Sequence, residues 1–527
     1  MRGAQFKTVR TPTVRRNKMD MRNEKRLTCD PFFLYPVMLE KVLPGDKWNI
    51  GNEMVIRMNP LVSPMMHEIN AYVHYFFVPF RLLWDDWEDF ITGGRDGKFT
   101  AELPRWTRQE YGVTFDASPG SLWDYFFGQT LLPNQDCIKW PEKWPLLAYN
   151  FIWNEYYRDQ NILEEIPLDE LKVEPMGQGL RKRAWSKDYF TSLLPWQQRG
   201  DAPALPISGV VSMLLPSQLP NVASGQASFF GAFRETVSGN PQYALQGVGT
   251  NAQEATDYAN AVRSFLTSMK VDLSNASTFD VSDLRLAFQI QKFLERNARA
   301  GSRYVEFLKA HWPAWPRDDR LDRPEYIGGS KTPIVVSEVL QTSSTDTTSP
   351  QGNMAGHGIS ADRTFCGSYR VQEDGLIMGL LSFLPKSLYS QGIDRQWLMD
   401  NRYDWPFPEF SALSEQAVFT EELYNVAPAP QDTVIGYQGR HDEFRFRRNM
   451  VHGLFHTDFQ HWHMGRVFDT PPQLNESLVY PTNDEIQAIK RVMAVPTEPM
   501  FLVAFGNNNT AIRPMPWIAE PGLIDHF

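Results

Sequence analysis

Four histidines, His452, His456, His461 and His463, lie close together in the last fifth of the chain. On a helix His452 and His456 would share a face, and on a strand His461 and His463 would share one side. Imidazoles so spaced could begin a zinc site, which needs further ligands from His, Cys, Asp or Glu. No carboxylate or cysteine spacing completes the set, so histidines of an interface or a satisfied loop are the better account. Paired acids occur at Asp85/Asp86, Glu164/Glu165 and Asp318/Asp319. Glycoside hydrolysis needs two carboxyls facing each other roughly 5–9.5 Å apart, which adjacency in sequence does not provide; solvated faces explain the pairs. The chain has no GxxxxGK(S/T), no GxGxxG after a strand, no GxSxG and no HExxH, so the usual signatures of nucleotide binding, serine hydrolysis and zinc proteolysis are missing. Cys29, Cys137 and Cys366 form neither a disulfide framework nor a zinc spacing and read as reduced structural thiols. No catalytic, cofactor-binding or metal-ligating residue is nominated.

Nucleic-acid binding has a clearer basis. Residues 1–26 carry nine Lys or Arg against Asp20 and Glu24, a charge of +7 that leaves −17 for the remaining 501 residues. A basic arm on an acidic body is a pattern for holding nucleic acid; the competing reading is a solvated, frayed tail. Lys7, Arg10, Arg15, Arg16 and Lys18 are the candidate contacts. No apolar region follows the arm as in a signal peptide, and no run approaches a membrane span.

The elements that must position these residues follow from composition and period. Thirty-eight prolines spread over 527 residues interrupt helices and central strands, which predicts much ordered loop. Aromatic residues at 13%, 16 of them Trp, supply the buried area to hold such loops. Strands are predicted at 32–37, 40–46, 54–58 and 69–78, the last with Ile69, Ala71, Val73, Tyr75 and Phe77 on one face. A short helix is predicted over 84–90, with Trp84 and Trp87 inward. Residues 216–280 are rich in Ser, Gly, Asn and Gln, a surface excursion. The stripe Leu286, Ile290, Phe293, Leu294 predicts a helix capped by Ser282 and ended by Gly301. A polar loop is expected over 341–362, and strands again at 369–371, 376–383, 444–447 and 501–505. Strands separated by very long excursions suit an antiparallel sheet, and a jelly roll with large insertions fits. Within 151–161 (FIWNEYYRDQN) aromatics interleave with polar residues so that neither helical face is cleanly apolar. Trp153, Tyr156, Tyr157 and Arg158 are therefore candidates for a contact between subunits.

That same stretch resembles the IWNE block of microvirus major capsid proteins, the shell proteins of small tailless single-stranded-DNA phages, with the gokushovirus branch matching best. The resemblance continues through the turn Val42-Leu43-Pro44-Gly45-Asp46, the segment Phe76-Phe77-Val78-Pro79-Phe80-Arg81 with Phe80 where Asn is commoner, Asp188-Tyr189-Phe190-Thr191-Ser192, Leu284-Arg285-Leu286-Ala287-Phe288-Gln289, Arg323-Pro324-Glu325-Tyr326 and the closing Pro521-Gly522-Leu523. It weakens over 201–280 and 457–500. The resemblance implies a mainly β chain with a single eight-stranded antiparallel jelly-roll barrel, very long loop insertions and a few short helices. It implies the organisation 1–26 basic arm and 27–527 capsid domain, with a loop-rich insertion at about 85–200, a surface protrusion at about 205–280 and a helix at 281–310. The implied function is a T=1 icosahedral shell around a circular single-stranded DNA genome, in a virion assembled in the host bacterial cytoplasm. Implied partners are other copies of the chain, the genome, internal scaffolding, DNA pilot and small DNA-binding proteins, and a host surface receptor. No cofactor is implied, though calcium at subunit contacts is compatible, with no ligands nominated. Two rivals are a jelly-roll carbohydrate-binding protein or glycoside hydrolase, and a soluble single-strand binding protein using the arm.

Overall fold

The computed structural model describes residues 16–94, 98–106, 116–132, 137–168, 179–203, 281–300, 303–311, 317–340, 354–428 and 431–518, with short islands at 109–110, 113–114, 135, 212–214 and 270–272. From Arg16 to Cys29 alternate side chains point in opposite directions. Arg16, Lys18, Asp20, Arg22, Glu24 and Arg26 are exposed, whereas Leu27 and Cys29 are buried and Met21 packs on the core. A period of two is the mark of a half-buried strand. These residues form β1 (Asn17–Asp20) and β2 (Asn23–Cys29). The basic arm expected over 1–26 is thus shorter than composition suggested: its last ten residues belong to the barrel.

Further strands are β3 (Tyr35–Val42), β4 (Lys47–Met58), β5 (Ile69–Pro79), β6 (Glu325–Leu340), β7 (Met354–Arg370) and β8 (Gly375–Pro385). A separate hairpin pairs β9 (Glu415–Phe419) with β10 (Val434–Gly439), and β11 (Phe501–Asn507) and β12 (Thr510–Arg513) come last. β1 with β2, and β11 with β12, are each one strand broken by two residues, and Met21 N donates to Asn509 O (3.1 Å) across the paired breaks. Counted so, the barrel has eight antiparallel strands in two sheets. One runs β1/β2, β11/β12, β4, β7; the other runs β3, β8, β5, β6. β6 joins them, pairing with β5 up to Ile334 and with β7 from Val335 onward. This is the jelly roll, and the chain is mainly β as expected.

Between the sheets lies one core. Ile69, Ala71, Val73, Tyr75 and Phe77 face it, as the alternation predicts, opposite Trp48, Ile50, Met54 and Ile56 of β4 and Phe501, Val503 and Phe505 of β11. The reverse face of the second sheet is covered too. Phe76, Val78, Leu376, Met378 and Leu380 lie under Trp84, Trp106, Trp123 and Trp144 of the insertion. Burial on both faces explains why all eleven residues of β8 are buried and why β8 reads as a continuous apolar run. Three helices of the insertion supply this cover: α1 (Trp87–Thr92), α2 (Leu122–Phe127) and α3 (Trp144–Ile152). Ser121 caps α2 by accepting from Asp124 N (3.4 Å), and Gly128 ends it at φ 64°.

Some expectations shift. Strand structure resumes at Met354, so the polar loop placed over 341–362 is shorter at its far end. Residues 444–447 are not a strand: a 3-10 turn over Asp442–Phe444 leads into irregular chain, because successive exposed Phe444, Arg445, Phe446 and Arg447 have no buried face. The helix expected at 281–310 is two, α4 (Val281–Ala300) and α5 (Tyr304–His311), and Ser282 lies inside the first turn of α4 rather than capping it. Leu286, Ile290 and Phe293 of the α4 stripe are exposed. Residues Gly200–Leu294 form a compact unit of their own. Within it Ser212–Leu214 pairs antiparallel with Lys270–Asp272; the rest of the 205–280 excursion lies outside the described residues. No helix among the described residues is long and apolar enough to cross a membrane.

Candidate functional site

Of the five candidate nucleic-acid contacts, Lys7, Arg10 and Arg15 lie outside the described residues. Arg16 and Lys18 are exposed at the edge of the first sheet. Elsewhere on the same sheet the charges pair off. Arg22 Nη2 meets Asp20 Oδ2 at 2.5 Å, Arg26 meets Glu24 at 3.0 Å, and Arg363 of β7 meets Glu53 of β4 at 3.8 Å. The guanidinium beside Asp20 holds its carboxyl below the usual carboxylate range. The sequence signal for the first two pairs was available but unread, since an i, i+2 spacing puts both partners on one face of a strand. Two grooves run over this outer sheet face. One, of about 650 Å³, is lined by Arg26, Val55, Arg57, Tyr125, Phe127 and Leu502; the other, of about 660 Å³, by Arg22, Glu24, Glu53, Arg363 and Gly506. Arg22, Arg26 and Arg363 are thus matched by acids, whereas Arg57 on the same face is in no ion pair among the described residues. Within residues 1–16, five basic residues meet no acid.

The 151–161 block is not an exposed surface. Trp153 and Tyr157 are buried, and the block closes α3 with a π-turn over Trp153–Tyr157, in which Arg158 N donates to Trp153 O at 2.8 Å. Most of its polar groups are used inside the subunit, Arg158 Nε being an exception. Trp153 Nε1 donates to Lys182 O (3.0 Å), Tyr156 OH to Pro324 O (2.5 Å) and Arg158 Nη1 to Leu163 O (2.9 Å). Tyr157 OH meets His74 Nδ1 at 2.8 Å. Arg303 Nη2 donates to Asn154 O (2.6 Å) and Arg158 O (3.0 Å), and Arg323 lies 4.5 Å from the Tyr156 ring centre. Burial pushes the Tyr156 hydroxyl up to about 12 and, reinforced by Arg183, drags His74 down to about 4. Trp153, Tyr156, Tyr157 and Arg158, expected at a contact between subunits, thus make these contacts within one subunit, with Tyr156 and Arg158 half-buried. Aromatic rings with polar tips serve both purposes, so composition did not separate them.

Of the histidine cluster, His452 and His456 are exposed and His461 is half-buried. His463 is buried; its Nε2 meets Phe455 O at 2.9 Å and its Nδ1 accepts from Gly465 N at 2.9 Å. Among the described residues no group of three or more His, Cys, Asp or Glu is arranged to hold a metal ion. Asp318 of the paired acids is engaged by Arg323 (3.2 Å) and Tyr156 (3.3 Å). What the geometry presents is a barrel with Arg16 and Lys18 exposed at its edge strand and large surfaces built from loops.

A family model described as "Capsid protein (F protein)" matches residues 7–523. The chain belongs to that capsid protein family. It is 34% identical to "Capsid protein VP1" of Chlamydia phage 1, over 98% of this chain and 97% of the relative. It is 32% identical to the VP1 capsid protein of Bdellovibrio phage phiMH2K, over 94% and 93%, and 28% identical to that of Spiroplasma virus 4, over 93% and 92%. The microvirus resemblance read from short motifs thus extends over the whole barrel. A capsid protein is structural rather than enzymatic, assembles with its own copies and belongs to the virion. The carbohydrate-active rival is not favoured.

Proposed function

We propose that this chain is the principal shell subunit of a small icosahedral phage, closing as a T=1 particle around circular single-stranded DNA. The basic arm, with Lys7, Arg10, Arg15, Arg16 and Lys18, lies inward against the genome, and the 205–280 excursion faces the host receptor. Assembly takes place in the host cytoplasm with scaffolding, DNA pilot and small DNA-binding proteins. The observation that carries this reading is the family match across residues 7–523, joined to an antiparallel jelly-roll sheet curled about one core. Support for the inward arm comes from charge. Five basic residues precede β1 without an acid among them, while Arg22 and Arg26 on the barrel are each paired with an acid. Phosphate binding releases counterions and weakens steeply with salt.

Electron microscopy of the expressed chain, with and without its neighbouring phage proteins, tests the shell. Uniform small spherical particles with nuclease-protected single-stranded DNA are expected; a persistent monomer under both conditions would overturn the reading.

A further inference from the structure

Six rings on two linked segments, residues 397–407 and 444–446, are exposed well beyond what a free subunit needs. Trp397 is 75% exposed, Phe446 61%, Trp405 57%, Tyr403 54%, Phe407 47% and Phe444 42%. At roughly 200 Å² for a fully exposed ring, they present on the order of 700 Å². A monomer's largest apolar patch is typically about 300–600 Å². A standard interface takes about 800 Å² from each partner. The rings supply most of that area.

Two segments carry the rings, and they are tied together beneath them. Arg440 Nη2 donates to Tyr403 O at 2.7 Å, and Arg447 meets Asp394 at 3.8 Å. Arg448 donates to Gly392 O (2.8 Å) and Glu422 O (2.6 Å), while Arg395 pairs with the buried Glu422 at 3.0 Å. Tyr403 and Phe407 both lean on Phe410, with centroids 6.0 and 6.1 Å away. The backbone carrying the rings is therefore held by hydrogen bonds and ion pairs, and two of the rings rest on a third.

Charge decides the class of occupant. Residues 393–413 carry four acids and two bases, and residues 440–450 carry four bases and two acids, so −2 and +2 cancel. A nucleic-acid backbone needs uncompensated Lys and Arg. Trp, Tyr and Phe interspersed with Arg is instead the composition of a protein interface core. In a shell of identical copies the protein at hand is the chain itself. We propose that the surface from Trp397 to Phe446 is a contact between neighbouring copies in the shell, an inference that rests on the capsid function.

Hydroxyl-radical labelling of the unmodified full chain tests it, in assembled particles and in subunits dissociated from them. Trp397 and Trp405 should oxidise several-fold more slowly in particles. Equal oxidation in both states would overturn the inference, as would protection in DNA-filled but not in empty particles, which would give the surface to nucleic acid. A second measurement uses the double variant Trp397→Asp, Phe446→Asp. It should melt as the wild-type subunit does, since both side chains are exposed, yet give at least about tenfold fewer particles; wild-type particle yield would overturn the inference. If the unmodified chain never assembles, the shell function itself fails. If shells form with their rings still fully labelled, only this surface fails.

Discussion

Arg466 shows what a single buried charge does here. Its side chain has no exposed surface, and it donates to Glu485 (2.8 Å) and Leu478 O (2.9 Å) with Trp185 5.0 Å from its guanidinium. Removing one partner of a buried pair leaves the other uncompensated, so Arg466→Ala should cost about 3–5 kcal/mol in urea unfolding. Arg466→Lys should not restore it, because an ammonium lacks the planar fork that reaches the carboxylate and the carbonyl together. His67 and His74 make a pH prediction. Burial lowers both to about 4, against about 6.5 when unfolded. The unfolded chain therefore binds more protons between those values, and their contribution is present above about pH 6.5 and lost as pH falls toward 4. Glu415 and Glu422, raised by burial, act in the opposite sense. Melting temperatures from pH 7 to 4 should therefore fall less steeply in His67→Asn, His74→Asn than in wild type; an unchanged slope would exclude the two imidazoles as its source.

At the scale of elements, the boundary between arm and barrel is testable. Deleting residues 1–15 removes four of the nine bases without touching β1 and should leave the melting temperature intact while reducing packaged DNA and its salt dependence. Deleting residues 1–26 strips β1 and most of β2, breaks the ladders to β11 and β12, and should prevent folding. Equal stability of the two truncations, followed by circular dichroism, would contradict the strand assignment. β6 offers a sharper probe. A Cβ on Gly328 would stand 2.1 Å from the Cys366 carbonyl, a backbone atom with no room to withdraw. Gly328→Ala should destabilise the subunit by roughly 3 kcal/mol or more, at the upper end of overpacking, read as a lowered urea midpoint. The bulges at Tyr326/Gly328 and Phe365/Gly367 occur where β6 and β7 come this close. Neither bulge left a mark in the residue alternation that a sequence reading could have used.

At the scale of the molecule, strands from both ends of the chain pair in one barrel, and long excursions run between its strands. The 212–214 and 270–272 strands pair at the base of one excursion. Deleting 220–265 should therefore leave particles visible by electron microscopy and abolish attachment to host cells. Intact particles with unchanged attachment would remove the receptor role from this segment. Loss of all particles would show instead that the excursion is needed for assembly.

By itself the sequence determined the family, through motifs in order along nearly the whole chain, and the mainly β class, through alternation such as that of Ile69 to Phe77. It also determined that a basic segment opens an acidic chain. Tertiary structure decided where side chains of the same type are used. Trp153 and Tyr157 went to the interior, and Trp397 and Trp405 stayed on the surface, although all are aromatics among polar neighbours. It decided too that residues 17–26 are strand, because β11 and β12 lie hundreds of residues away and nothing local announces that pairing. Local pattern records which face a residue prefers; which neighbour meets that face is a long-range choice, made by packing.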